Sequence, residues 1–196
     1  MSDFEFISVI LSIIVGLGVT RVLSGLAAVA EQRLNVPIEW LSVGWASGIL
    51  AWQILFWLGT VNSRRIFATE WTIGSLSTLL CMSIALFFAA ALVLPGRTKA
   101  DTNLTERYET IRRPFFSTFI AMSLFEITDS LLSGMQNLIA LGPIYWFGQG
   151  SIFAVGLVGA VTKNRKTHLV LLSYFFVWLL VHATQVWRIT LIVPQN

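Results

Sequence analysis

Residues 115–138, FFSTFIAMSLFEITDSLLSGMQNL, decide how the rest of the chain is read. The run suits a membrane-spanning helix, because about 20 apolar residues rising about 1.5 Å each cross the hydrocarbon core of a bilayer. Two acids, Glu126 and Asp129, interrupt it near the middle. They stand three residues apart, so a helix carries both on one side. Ser123, Ser130, Ser133, Gln136 and Asn137 extend that polar side. A carboxylate facing lipid costs about 2.5–3.5 kcal/mol on insertion scales. The two acids are therefore expected to face protein, a bound ion or trapped water.

Composition extends this reading to the whole chain. Of 196 residues, 56% are hydrophobic and 12% charged, with a mean hydropathy of +0.76. A soluble domain carries about 25% charged residues, enough to cover a surface in water. The expected fold is all-α, a polytopic integral membrane protein with six transmembrane helices in one domain, residues 1–196. The spans are read as 4–30, 40–61, 71–94, 115–138, 144–162 and 169–193, with Leu141-Gly142-Pro143 as a tight turn between the fourth and fifth. Residues 97–113 (RTKADTNLTERYETIRR) read as a solvated connector, with at most a short amphipathic turn through Leu104, Tyr108 and Ile111.

The net charge of +3 does not point to nucleic acid, because the basic residues flank spans rather than line one face. Arg33, Arg97, Lys99, Arg107, Arg112, Arg113, Lys163, Arg165 and Lys166 fall on one side, against Arg64 and Arg65 on the other. By the positive-inside rule the first side is cytoplasmic. This expectation places the chain in the plasma (inner) membrane with both termini outside. Ala28-Val29-Ala30 has the small-x-small form of a signal cleavage site, but the acidic start MSDFEF and Arg21 argue for a retained first span. Cys81 is the only cysteine, so no intrachain disulfide is expected.

The two halves of the chain resemble each other. Phe6, Ser8, Leu23, Ser24 and Gly25 match Phe115, Ser117, Leu132, Ser133 and Gly134 at one constant offset. Pro37, Ile38, Trp40 and Gly44 match Pro143, Ile144, Trp146 and Gly150 at a second, and further matches continue in order to Pro95 and Pro194. An inverted 3+3 repeat is expected, with halves of about 1–96 and 112–196, a plan that transporters use with a polar site between the halves. The alignment sets Thr20-Arg21 against Asp129-Ser130, and so predicts an ion pair from Arg21 to Asp129 or Glu126. Six spans in two inverted triplets are similar to aquaporin-like proteins. The paired Asn-Pro-Ala signature of that family is absent, and the assignment is rejected.

Two further sets of residues complete the expected site. His182, Gln185 and Arg188 share one face of the sixth span, with His182 and Gln185 expected along a path to the acids. Ser8, Ser12, Gly16, Thr20, Ser24 and Ala28 recur every fourth residue, a ridge along which another helix can approach closely. Gly156, with Gly148, Gly150 and Gly159, does the same for the fifth span, and these two faces are candidate surfaces for a homo-oligomer. The eight tryptophans read mainly as an interfacial belt, with Trp52, Trp57 and Trp178 deeper.

No metal or cofactor is expected. His168 and His182 stand fourteen residues apart, about 21 Å along a helix, too far to share an ion. No nucleophile–base motif or phosphate-binding loop is present, so an enzyme is not expected. The leading reading is a small channel or transporter for an ion, proton or small solute, with Arg21, Glu126, Asp129, His182 and Gln185 along its path. The alternative is a non-catalytic membrane scaffold or subunit, in which the same polar groups lock helices in register.

Overall fold

A computed structural model describes residues 3–32, 39–67, 73–94, 104–132 and 135–192. Among them every regular element is a helix: α1 (Asp3–Gln32), α2 (Trp40–Phe67), α3 (Ile73–Val93), α4 (Leu104–Leu132), α5 (Met135–Val161) and α6 (Arg165–Ile192). All six contain a stretch long and apolar enough to cross a membrane. Their outward surfaces carry large apolar side chains, among them Ile73 (85% exposed), Val161 (75%) and Phe147 (74%). Such a surface fits a lipid bilayer, since water would penalise it over every helix at once.

Helices α2, α3, α4, α5 and α6 form a closed ring, each touching the next, and α1 packs outside over the α2/α3 seam. The middle of the ring is filled by aromatic side chains. Trp45 is fully buried and meets Phe115, Phe116, Phe119 and Phe175 at centroid distances of 5.1–5.7 Å. Trp52 continues the stack to Phe119, Phe175 and Trp178. Each such pair is worth about 0.5–1.5 kcal/mol beyond the area it buries. Trp45 is thus a core residue, not a member of an interfacial belt. Its neighbours on α4 and α6 recruit it inward, which composition alone does not reveal.

Two sequence expectations about helix boundaries do not hold. First, the polar connector does not run to 113. Helix α4 begins at Leu104, and Tyr108 (7% exposed) and Arg112 (3%) start a buried stripe that continues through Phe115, Phe116, Phe119 and Met122. Those three- and four-residue steps keep one side of a helix facing the core. Second, α4 ends at Leu132, so Met135–Leu138 open α5 instead of closing the fourth span. The side chains of Gln136 and Asn137 lie outside the described residues. The turn read at Leu141-Gly142-Pro143 keeps its place: Gly142 interrupts the helical run of α5, and the fifth apolar span, Gly142–Val161, begins there. The Gly142 φ of 72° with ψ of 172° lies where a side chain is disfavoured, and Pro143 then restarts the helix with φ preset.

The principal helix contacts follow the expected repeat only in part. The α1–α2 and α2–α3 contacts correspond to α4–α5 and α5–α6, whereas the packing of α1 on α3, α3 on α4 and α2 on α6 has no counterpart among them. The middle of the small-residue ridge of α1 faces outward, with Gly16, Thr20 and Ser24 exposed, while Ser12 accepts a hydrogen bond from Trp57 Nε1 of α2. The buried stripe of α1 is instead Leu11, Val15, Gly18, Val22, Gly25 and Val29, alternating steps of three and four. Gly156 does pack closely. A Cβ there would stand 3.1 Å from the Ile120 nitrogen and the Phe116 carbonyl oxygen on α4, so that part of the α5 face is spent inside the chain.

Candidate functional site

Polar side chains gather at the two ends of the bundle, and they do different things there. At one end α3 and α5 finish while α2, α4 and α6 begin. The last carbonyls of a helix have no partner within it, and a cation there also meets the negative end of the helix dipole. Arg112 donates from Nη1 to the carbonyls of Gly159, Ala160 and Thr162, closing the end of α5. Arg107 donates to the Leu92 carbonyl at 3.1 Å, and Arg21 makes longer bonds of 3.4 Å to Ala91 and Leu94, closing α3. Beside them the Thr162 carbonyl lies 3.0 Å from His168 Nε2. A carbonyl only accepts, so Nε2 carries the hydrogen. Nδ1 of a neutral ring then accepts from the Tyr108 hydroxyl at 3.1 Å. Glu39, buried at the start of α2, takes a two-pronged bond from Arg165 of α6 at 2.9 and 3.1 Å and also accepts from the Leu41 amide.

The carboxyls sit at the opposite end. Asp129 is three residues from the end of α4 and Glu126 six, so they lie roughly 5 and 9 Å from the helix terminus instead of at mid-span. Tyr145, in the first turn after the Gly142 break, donates its hydroxyl to Glu126 Oε1 at 2.9 Å. Its single hydrogen is thereby used, so Ser130 donates to the Tyr145 oxygen at 2.7 Å. The result is a directed chain, Ser130 to Tyr145 to Glu126. Thr78 of α3 lies 2.8 Å from Asp129 Oδ1, and Asp129 is close enough for its charge to act on Glu126. Among the described residues no lysine, arginine or histidine ion-pairs with Glu126. This set of carboxyl and hydroxyl oxygens suits a proton or a hard cation, not a soft metal.

The predicted pairing of Arg21 with these acids is therefore overturned. Thirteen residues of α3 separate Thr78, beside Asp129, from Ala91, which Arg21 reaches: roughly 20 Å of helix. The alignment of halves set the two positions side by side, whereas the packing puts Arg21 at the far end of α3. His182 stacks flat on Trp178 at 5.0 Å and 5°, and neither it nor Gln185 hydrogen-bonds to Glu126 or Asp129. The Arg188 side chain lies outside the described residues.

Sequence reasoning passed over Tyr145, Thr78, Tyr108, Arg112 and Glu39. The spacing of Tyr108, Arg112, Phe115 and Phe119 was a usable signal, since it continues one helical stripe across the supposed connector. For Tyr145 and Thr78 there was none, because their roles depend on which helices meet. No protein-family model, no curated protein and no solved structure matches this chain.

Proposed function

We propose that the protein is a small membrane channel or transporter in which Glu126, assisted by Asp129, binds a proton or a hard cation. The observation that carries this reading is the Glu126 carboxyl. It is held by the Ser130–Tyr145 hydroxyl chain, has a second carboxyl as neighbour, and has no basic partner among the described residues. A carboxyl in apolar surroundings needs a countercharge, and at Glu126 a proton or a bound cation would supply it. The break at Gly142 lies at the start of the fifth apolar span, beside this cluster. Tyr145 stands in the first turn after that break, so movement of the second half of α5 would change the bond to Glu126. The basic end would face the cytoplasm, given the exposed Arg113, Lys163, Arg165 and Lys166.

The test is flux of H⁺, Na⁺ and K⁺ in proteoliposomes, comparing the native chain with Glu126→Gln and Arg21→Met. Loss of flux in Glu126→Gln, with the variant still folded and Arg21→Met still conducting, is the expected outcome. Equal flux in native and Glu126→Gln protein would sink the reading. A second reading, a membrane scaffold or subunit, has one observation in its favour: aromatic rings occupy the middle of the helix ring. No flux of any of these ions from folded native protein would favour it.

A further inference from the structure

Gln53 lies at the midpoint of α2, about 20 Å from its start, and is 1% exposed. Neither its Oε1 nor its Nε2 has a hydrogen-bond partner within the protein. The amide rests against Gly18, the midpoint of α1, where a Cβ would collide with Gln53 Nε2. One turn away on either helix the neighbours are apolar: Ile49 and Phe56 on α2, Val15 and Val22 on α1, all buried. An amide sealed in such surroundings with its donors and acceptor unused is costly, more so in hydrocarbon, where bulk water cannot reach it. A leucine would fill similar space without that cost.

The amide calls for an occupant that both donates and accepts and is small enough for a tightly packed seam. With no side chain on Gly18 the Gln53 amide lies directly against the backbone of α1, and each helical carbonyl there keeps a second lone pair after its own helix bond. A water accepting from Nε2 or donating to Oε1, and donating to such a carbonyl, would have the two or more partners that buried waters have. We infer that Gln53 and the α1 backbone at Gly18 form a binding site for a single buried water molecule at mid-depth in the α1/α2 seam. The site is independent of the Glu126 cluster and of any flux through it.

Water-edited solid-state NMR tests this on full-length protein in lipid bilayers, with ¹⁵N-labelled glutamine and ¹³C-labelled valine methyls. The Gln53 side-chain resonance is assigned by its loss in Gln53→Leu, or in Gln53→Met if the leucine variant does not fold. Water magnetisation should reach the Gln53 amide and not the methyls of Val22, which is fully buried one turn from Gly18. No transfer to a resolved Gln53 signal would overturn the site. Equal transfer to Val22 would overturn it too, by showing general penetration of the seam. In folded Gly18→Ala protein the Gln53 transfer should fall to the level of the Val22 methyls. Transfer that persists unchanged would remove α1 as the second partner.

Discussion

The basic and acidic ends of this bundle use charge in opposite ways. At the basic end, Arg21, Arg107 and Arg112 are spent on the carbonyls that finish α3 and α5. Those carbonyls would otherwise face an apolar surrounding with no partner, so the arginines act as clamps between helices. At the acidic end, Glu126 meets hydroxyls and another carboxyl, and among the described residues no basic side chain ion-pairs with it. A buried charge is therefore not by itself a sign of transport. What matters is whether its partner belongs to the fold or can leave.

The largest expected effect tests the clamp. Arg112→Ala strands the carbonyls of Gly159 and Ala160, leaves that of Thr162 only its bond from His168, and should lower unfolding free energy by about 3 kcal/mol, read by thermal or denaturant unfolding in detergent. Arg112→Lys should recover only part of that, because an ammonium does not reproduce the guanidinium fork. A change below about 1 kcal/mol in Arg112→Ala would mean the α5 terminus finds other partners, and the contrast between the ends would weaken.

Next comes the α4/α5 seam that joins the two ends. Gly156→Ala pushes a methyl into the Ile120 and Phe116 backbone and should cost about 1–3 kcal/mol. Gly150→Ala on the same helix meets nothing within 4 Å and serves as its control. Glu126→Gln keeps an acceptor for Tyr145, so its stability should change by no more than about 1 kcal/mol while flux is lost. A larger loss of stability would make Glu126 a structural residue like Arg112. Smallest is the Glu39–Arg165 pair. Arg165 is 57% exposed, and Arg165→Gln should cost less than about 1 kcal/mol.

Orientation gives a separate check on the comparison. With Cys81 replaced by serine, a cysteine at Lys163 should react with a membrane-impermeant maleimide only after the membrane is opened. Labelling in intact cells would put the clamped end outside and the carboxyls toward the cytoplasm, reversing the proposed orientation.

The sequence alone determined that the chain forms six apolar helices and nearly where they lie. Hydropathy is a sum over adjacent residues, and adjacent residues are what a sequence displays. It also singled out Glu126 and Asp129, because an acid in an apolar run stands out whatever surrounds it. It misjudged Tyr108 and Arg112, whose polar neighbours hid a helical stripe, and Trp45, whose burial depends on Phe116 and Phe175 from other helices. Pairing was beyond it altogether. Arg21 and Asp129 looked matched by an alignment of halves, yet α3 holds them roughly 20 Å apart. Which residue meets which depends on how helices rotate and order themselves in the ring. Those choices follow from side-chain shape at contacts such as Gly156 on Ile120 and Gly18 under Gln53, which exist only once the helices have packed.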